Sequence, residues 1–332
     1  MSPFGVFWRV ALILLGAAAL VPIRTGSLAP RPKPAAGYEA AMVLAQQLER
    51  ADSAATPDGK SVVLVHGHRT PRAFVFFHGL SNSPRQYRQL AATVYDGGDN
   101  VVVPRLPWHG LKGETASNLG RITAEQLRDM ADATVNIASG LGDTVIVCGV
   151  SLGGNIAAWV VQFRTIDRAV LVAPALGLSH LSTMLETPAM NLMLRAPNYS
   201  KHEPPDTVRP DRTLGWSTRG VGEMFKLGMA VRRNADDHAP LARDIRVLAN
   251  ANDGTINHSA LNELVAHWSA KGARLMMYEL SDTLALPHDI IDPDEETGKT
   301  SVTNPIILAL LYGSLPTASQ GVRMIPLGKA SK

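Results

Sequence analysis

Residues 144–163 read TVIVCGVSLGGNIAAWVVQF, and this stretch decides the fold. It opens with an apolar run typical of a buried strand, and Leu152–Phe163 has the length and composition of a buried helix. Ser151 lies in the turn between them, in a Gly-x-Ser-x-Gly pattern. Such a turn lifts the serine hydroxyl above the sheet edge, and only small residues fit where strand and helix approach each other. The stretch therefore predicts a nucleophilic Ser151 at the carboxyl edge of a sheet.

Apolar runs alternate with amphipathic stretches along most of the chain. Strands bare of polar residues between helices indicate a sheet covered on both faces, so we expect an α/β protein with an open, doubly wound, mostly parallel sheet. The predicted strands are Ser61–His66, Ala73–Phe77, Asn100–Val103, Thr144–Gly149, Arg168–Ala173, Asp244–Ala249 and Ala273–Glu279. The predicted helices are Tyr38–Ala55, Pro84–Tyr95, Thr123–Ser139, Leu152–Phe163, Ile256–Ala270 and Thr303–Tyr312.

One long stretch interrupts this rhythm, because residues 174–240 contain no good strand. Within it, Leu178–Leu194 is rich in Met and Leu at helical spacing, and Arg219–Arg232 is amphipathic. An insertion between two core strands predicts a helical cap over one end of the sheet, at about residues 176–240. The Met- and Leu-rich segment favours an apolar pocket under the cap, with ordinary packing inside the cap as the alternative.

The N-terminus carries an apolar segment at residues 4–23, interrupted by Arg9, of about the length that spans a bilayer. We therefore expect residues 1–29 to be a secretory signal or an uncleaved membrane anchor, and the protein to be exported or membrane-anchored rather than cytoplasmic. A small-x-small cleavage pattern exists at Ser27–Ala29, but Pro30 follows it.

The rest of the chain divides by composition. We expect a Pro-rich basic linker and an N-terminal helix at residues 30–60, the main domain at residues 61–313, and a loosely ordered tail at residues 314–332.

Composition excludes several classes of protein. The net charge is +3 and no cluster of Lys or Arg is present, which argues against a nucleic-acid partner. Hydrophobic residues make up 45% of the chain and charged residues 18%, as in globular proteins. Cys148 is the single cysteine, so neither a disulfide within the chain nor a cysteine-based metal site is expected. We expect no metal and no cofactor.

A serine hydroxyl is a weak nucleophile that needs a base, and the base needs an orienting acid. In an open α/β sheet, catalytic groups gather at the carboxyl ends of the strands. Asp253 follows the strand that ends at Ala249, and His288 follows the last predicted strand. We therefore predict a triad in which Ser151 is the nucleophile, His288 the base and Asp253 the orienting acid.

Other acidic residues and histidines fit this triad less well. Those before the penultimate strand lie at its wrong end or in the cap, and those on the helix after Asp253 are expected to be solvated or packed. Close sequence neighbours of His288 rarely orient its ring. The residues set aside on these grounds are Asp236, Asp237, His238, His258, His267, Asp289 and Asp292.

The tetrahedral intermediate of acyl transfer carries negative charge on oxygen, which two backbone amides stabilise. Leu152 supplies one amide. We expect the other from the loop after Phe77, which reads His-Gly-Leu-Ser-Asn, and we assign it to Leu80. His78 is expected to fix this loop.

Further residues near strand ends have weaker assignments. Trp108 and His109 follow the third predicted strand and are predicted to bind substrate, with a plain turn as the alternative. His66 and His68 are expected to serve a hairpin. Cys148, in the strand before Ser151, is expected to be a buried and inert thiol.

Several of these motifs together resemble a known family. The segments are Phe77-His-Gly-Leu-Ser-Asn-Ser-Pro84, Leu106-Pro-Trp-His-Gly110, Gly149-Val-Ser-Leu-Gly-Gly154 and the loops of Asp253 and His288. They resemble α/β-hydrolases, in particular the monoacylglycerol lipase and carboxylesterase-like branch, over residues 60–312. The resemblance implies the α/β-hydrolase fold and hydrolysis of a small-molecule ester through an acyl-serine intermediate.

Three alternatives remain open from the sequence. A thioesterase and a cofactor-free haloperoxidase use the same triad, and a non-catalytic envelope protein can share the fold. Epoxide hydrolases and dehalogenases are disfavoured because they need Asp in place of Ser151. The sequence does not define the oligomeric state.

Overall fold

The computed structural model describes residues 28–113, 115–179, 181–202, 215–316 and 321–327, with a few residues before 28. Most of the expected signal or anchor segment, residues 1–29, lies outside these ranges. Within the part that is described, no helix is both long enough and apolar enough to cross a membrane.

An eight-stranded sheet organises the described residues. Its strands are β1 Val62–Leu64, β2 Thr70–Phe77, β3 Asn100–Val103, β4 Gly142–Val150, β5 Arg168–Val172, β8 Ile245–Asn250, β9 Leu275–Leu280 and β10 Val322–Ile325. Their order is β1-β3-β2-β4-β5-β8-β9-β10, and every pair from β3 to β9 is parallel, whereas β1 and β10 lie antiparallel at the two edges. The mostly parallel sheet predicted from the sequence is confirmed.

Helices cover both faces of this sheet. They are α1 Tyr38–Arg50, α2 Arg88–Asp96, α3 Ala116–Leu119, α4 Ala124–Leu141, α5 Leu152–Phe163, α6 Thr183–Arg195, α7 Thr218–Asp237, α8 His258–Ala270 and α9 Thr300–Tyr312. In β2, Val75 packs into the cluster formed with α1, α4, α5, α7 and α8, whereas Phe74 and Phe76 face α2 and α9, as the two-residue period of a strand requires.

Between β5 and β8 the chain forms α6, a pair of short strands and α7. The short strands, β6 Ser200–His202 and β7 Gly215–Ser217, pair antiparallel and were not predicted. Each strand is only three residues long, so an alternation of polar and apolar residues cannot be recognised in its sequence. Helix α7 packs against α5, where Gly228 approaches the side chain of Asn155.

The predicted linker and part of the predicted loose tail are held in place. The carbonyl of Leu28 accepts a hydrogen bond from the Trp159 indole at 2.9 Å, and the Arg31 amide donates to Asp132 Oδ2 at 2.6 Å. The Pro-rich segment from residue 28 is therefore tied along α4 and α5 rather than free. Near the C-terminus, Val322–Ile325 forms the edge strand β10, where the sequence indicated only a loose tail.

Candidate active site

Ser151 occupies a strained turn between β4 and α5. Its φ and ψ are 57° and −116°, a conformation that non-glycine residues rarely adopt. The surrounding glycines explain how the turn closes. A Cβ on Gly149 would lie 2.0 Å from the carbonyl oxygen of Gly153, and a Cβ on Gly153 would lie 1.8 Å from that of Phe77. The turn thus holds Ser151 at the carboxyl edge of the sheet, where its sequence pattern predicted it.

Asp253 and His288 meet at the same edge. His288 Nδ1 lies 2.6 Å from Asp253 Oδ2, and the other carboxylate oxygen accepts the Thr255 amide at 2.9 Å. Burial raises the pKa of Asp253, but the hydrogen bond and charge of His288 and the bonds from Thr255 outweigh it, so the pKa lies below its ordinary value. Asp253 is therefore ionised at neutral pH and holds the Nδ1–H tautomer of His288.

The atom of His288 that would exchange protons is its Nε2. It is buried and makes no hydrogen bond within the described part of the chain. His288 and Ser151 both line one cavity of about 470 Å³. The arrangement leaves Nε2 available to a group inside that cavity.

Asn250 fixes the loop that carries His288, and it was not predicted as a site residue. It ends β8, is buried, and its Nδ2 donates to the carbonyl oxygens of Leu286 at 3.0 Å and Pro287 at 2.9 Å. The available signal was a polar residue directly after the apolar run Val247–Ala249, at the carboxyl end of the strand.

The loop after β2 passes beside Ser151. A Cβ on Gly79 would lie 3.8 Å from Ser151 Cβ, so the next residue, Leu80, is near the turn. His78 is buried, accepts the Leu106 amide on Nε2 at 3.1 Å, and donates from Nδ1 to the carbonyl of Gly79 at 2.9 Å. Burial lowers the pKa of His78 well below its ordinary value, which fits this neutral tautomer.

The structure does not support substrate binding by Trp108 and His109. Neither lines the described cavity around Ser151. The Trp108 ring stacks on the Arg121 guanidinium, 3.7 Å from the ring centre, and its indole donates to Gln126 at 3.1 Å. His109 is wholly buried, with Nε2 2.7 Å from the carbonyl oxygen of Leu80. Both residues fix loops behind the cavity, so the prediction is corrected.

His109 has carbonyl oxygens near both ring nitrogens, Leu80 on Nε2 and Pro107 on Nδ1, at 2.7 and 2.9 Å. Only a charged ring could donate to both. Burial opposes that charge and lowers the pKa of His109 to about 4, so a neutral ring donates to one of them.

The residues set aside from the triad have other contacts. His258 donates from Nε2 to the backbone oxygen of Asp253 at 2.9 Å, and His267 pairs with Asp236 at 2.9 Å away from the cavity. Asp289 lines the cavity but bonds to Asn82 and Gln86.

The remaining histidines and the thiol lie elsewhere. His66 stacks on Tyr95, with ring centres 4.2 Å apart. Cys148 is buried, and burial raises the pKa of its thiol to about 12, which keeps it protonated. Among the described residues no group of three or more His, Cys, Asp or Glu could hold a metal ion.

Apolar residues of the insertion form much of the cavity wall. They come from the segment after β5, from β7 and from α7, and they are Leu178, Trp216, Val221, Met224 and Phe225. The polar wall is formed by Asn82, Gln86, Asp289 and Glu295. A volume of about 470 Å³ lies within the roughly 300–1,000 Å³ range of small-molecule sites.

These features agree with comparisons to known proteins. The model of the alpha/beta hydrolase family matches residues 62–297, and the chain belongs to that family. No curated protein sequence matches it.

Solved structures share the fold as well, and two of them serve as examples. One comes from work on LipS and LipT, two metagenome-derived lipolytic enzymes. It has a TM-score of 0.59 at 15% identity and covers 78% of this chain and 99% of that one. The other is the monoacylglycerol lipase of Paleococcus ferrophilus. It has a TM-score of 0.55 at 19% identity, and the match covers 76% of this chain and 98% of that one.

Proposed function

We propose that this alpha/beta hydrolase cleaves carboxylic esters through an acyl-serine intermediate. One observation carries the proposal: the 2.6 Å contact between His288 Nδ1 and Asp253 Oδ2 borders the cavity that Ser151 also lines. The positions of Ser151, His288 and Asp253 support the roles of nucleophile, base and orienting acid that acyl transfer by serine requires.

In the acylation step, Ser151 Oγ attacks the ester carbonyl carbon and its proton passes to His288 Nε2. Asp253 stabilises the resulting imidazolium. The backbone amides of Leu80 and Leu152 donate to the oxyanion, and Leu152 also stands at the N-terminus of α5, where the helix dipole favours negative charge. Collapse of the intermediate breaks the C–O bond of the ester, and the leaving alcohol takes the proton from Nε2.

In the deacylation step, His288 Nε2 takes a proton from water as the water oxygen attacks the acyl carbon. The second tetrahedral intermediate expels Ser151 Oγ, which recovers the proton. The products are a carboxylic acid and an alcohol, and no cofactor takes part.

The cavity wall supports an ester with an apolar acyl group. Leu178, Val221, Met224 and Phe225 present hydrocarbon surface close to Ser151. Burying each methylene of an acyl chain against such a surface contributes about 0.8 kcal/mol. We therefore expect kcat/KM to rise with acyl length until the cavity is filled.

A fluorophosphonate probe tests the mechanism, because it bonds covalently to activated serines. The purified protein should be labelled, and Ser151→Ala should abolish labelling. Ser179→Ala is a matched control, since Ser179 lies on the same cavity wall but has no proposed role. Labelling that persists in Ser151→Ala would contradict the proposal. No labelling of the wild type would favour the non-catalytic alternative.

Substrate panels separate the enzymatic alternatives. p-Nitrophenyl esters of increasing acyl length test the apolar pocket, and equal kcat/KM at all lengths would refute it. Matched esters and thioesters of one acyl group separate an esterase from a thioesterase. Halogenation that needs peroxide, without ester hydrolysis, would indicate a haloperoxidase.

We also propose that residues 4–23 direct export or hold the protein at a membrane, on the strength of their apolar composition. Cell fractionation compares the full chain with one that starts at Arg24. The full chain should be exported or sediment with membranes, whereas the shortened chain should stay in the cytoplasm. An identical distribution would contradict the proposal.

A further inference from the structure

One buried amide side chain links the two loops that carry the proposed catalytic groups. Gln86 lies in the turn Pro84–Tyr87 and is only 2% exposed. Its Oε1 accepts the Gly79 amide at 2.8 Å, and its Nε2 donates to Asp289 Oδ2 at 2.8 Å. Gly79 directly precedes Leu80 in the chain, and Asp289 directly follows His288.

A second amide runs beside the first. Asn82 Nδ2 lies 3.1 Å from Asp289 Oδ2 and 3.1 Å from Asp292 Oδ2. The other oxygen of Asp289 accepts the amides of Ile291 at 3.2 Å and Asp292 at 3.1 Å. The Asp289 carboxylate therefore accepts four hydrogen bonds, none of them from the His288 ring.

The hydrogen bonds of Gln86 join the two loops that carry the Leu80 amide and His288, so they can affect catalysis as well as loop stability. Acyl transfer requires the oxyanion amide and the base to stand at fixed positions around one carbonyl group, and a misplacement of about 1 Å can cost about 100-fold in rate. The Leu80 amide and His288 belong to loops that are far apart in sequence. Gln86 and Asp289 join them through side chains that lie on the wall of the cavity itself.

We propose that Gln86 and Asp289 are positioning residues that set the Leu80 amide and His288 relative to each other. This role rests on the proposed ester hydrolysis. We call the link Gly79–Gln86–Asp289 the bridge. Its loss should reduce the rate of the chemical step more than it weakens substrate binding.

The first test removes the bridge. Gln86→Leu keeps the side-chain size and loses both hydrogen bonds. Gln89→Leu is the matched control, because Gln89 is exposed on α2 and bonds through its side chain to Asn304 at 3.2 Å. With a p-nitrophenyl ester, Gln86→Leu should lower kcat about 10- to 100-fold and change KM less than about threefold, at an unchanged folded fraction by circular dichroism. Gln89→Leu should leave both constants unchanged.

The second test exchanges donor and acceptor between residues 86 and 289, where Gln86 Nε2 now donates to Asp289 Oδ2. It keeps the proposal falsifiable if Gln86→Leu does not fold. Gln86→Glu sets two carboxylates against each other and should lower kcat. Adding Asp289→Asn places an amide donor opposite the new carboxylate, while Asn82 gives up its bond to Asp289 Oδ2 and keeps the one to Asp292 Oδ2. The double variant should therefore recover about tenfold or more of the lost kcat.

The outcomes separate the two claims. Unchanged kcat in Gln86→Leu, or no recovery in the double variant, would overturn the positioning role while ester hydrolysis by the wild type stands. A wild type that neither hydrolyses esters nor reacts with a fluorophosphonate would overturn both.

Discussion

His288 Nδ1 and Asp253 Oδ2 lie 2.6 Å apart, although 35 positions separate the two residues in the chain. β8 ends just before Asp253 and β9 just before the His288 loop, and the parallel pairing of these strands brings both loops to one edge. The sheet therefore builds the proposed acid–base pair.

Removing the carboxylate should impair catalysis far more than folding. In Asp253→Asn the amide no longer enforces the Nδ1–H tautomer, so kcat for a p-nitrophenyl ester should fall about 10³- to 10⁴-fold. Asp282→Asn is the control, because Asp282 is an exposed aspartate in the loop before His288. A kcat within tenfold of the wild type would show that Asp253 does not orient the base.

The turn around Ser151 should tolerate no side chain at Gly153. Gly153→Ala places a Cβ against the backbone of Phe77, which cannot move without disturbing β2. We expect the free energy of unfolding to fall by about 3 kcal/mol, as measured by urea denaturation. Gly37→Ala is the matched control, since a Cβ there has nothing within 4 Å. Equal stability of the two variants would contradict the close approach of Gly153 to the backbone of Phe77.

Acid should weaken the fold through His109. Its pKa is about 4 in the folded chain against an ordinary value of 6.5, so the unfolded chain binds a proton first as the pH falls. Stability is therefore full above about pH 6.5 and falls until about pH 4, by about 3 kcal/mol for this group.

The variant His109→Gln isolates this contribution. Urea denaturation between pH 7 and pH 4 should give the wild type a steeper loss of unfolding free energy than the variant, which cannot take up that proton. Parallel curves would show that His109 does not titrate in this way.

The segment at residue 28 should stabilise the hydrolase domain. Leu28 is 1% exposed, and its carbonyl is the acceptor for the buried Trp159 indole. A chain that starts at Pro30 should lose about 2 kcal/mol of burial and about 1–3 kcal/mol from the orphaned indole. A chain that starts at Ile23 should keep both. Thermal unfolding of the two chains provides the comparison.

A point substitution tests the burial of the Leu28 side chain alone, because it leaves in place the backbone carbonyl that accepts the Trp159 indole. Leu28→Ala should lower the unfolding free energy by about 2–5 kcal/mol, whereas Leu20→Ala, at an exposed position, should change it little. Equal stability of the chains starting at Pro30 and Ile23 would remove this role.

Much of the fold and of the candidate site follows from local sequence patterns. The apolar runs of β4 and α5 bracket Ser151, and Asp253 and His288 each follow a strand whose pattern is clear. Leu80 could be placed near Ser151 because the carboxyl ends of parallel strands lie at the same edge of the sheet. Each of these predictions needed only the position of a residue relative to its own strand.

The remaining features depend on contacts between distant parts of the chain. Gln86 acts through hydrogen bonds to two loops, one of them far away in sequence, so its type alone carries no sign of a role. The position of Asn250 at the end of β8 marks it as unusual, but its bonds to Leu286 and Pro287 depend on the fold. Trp108 follows a strand as Leu80 does, yet it stacks on Arg121 instead of facing the cavity. The strands β6 and β10 are short and gain their order from their pairing partners.

The central claim is most directly tested by locating the covalent adduct of a fluorophosphonate probe through mass spectrometry of proteolytic peptides. The proposed chemistry predicts one adduct, on Ser151, in the peptide that spans the β4–α5 turn. Its formation should be about 10³-fold or more slower in Asp253→Asn, which retains the serine but loses the orienting carboxylate. An adduct on another serine, or labelling of Ser151 at the wild-type rate in Asp253→Asn, would contradict the account.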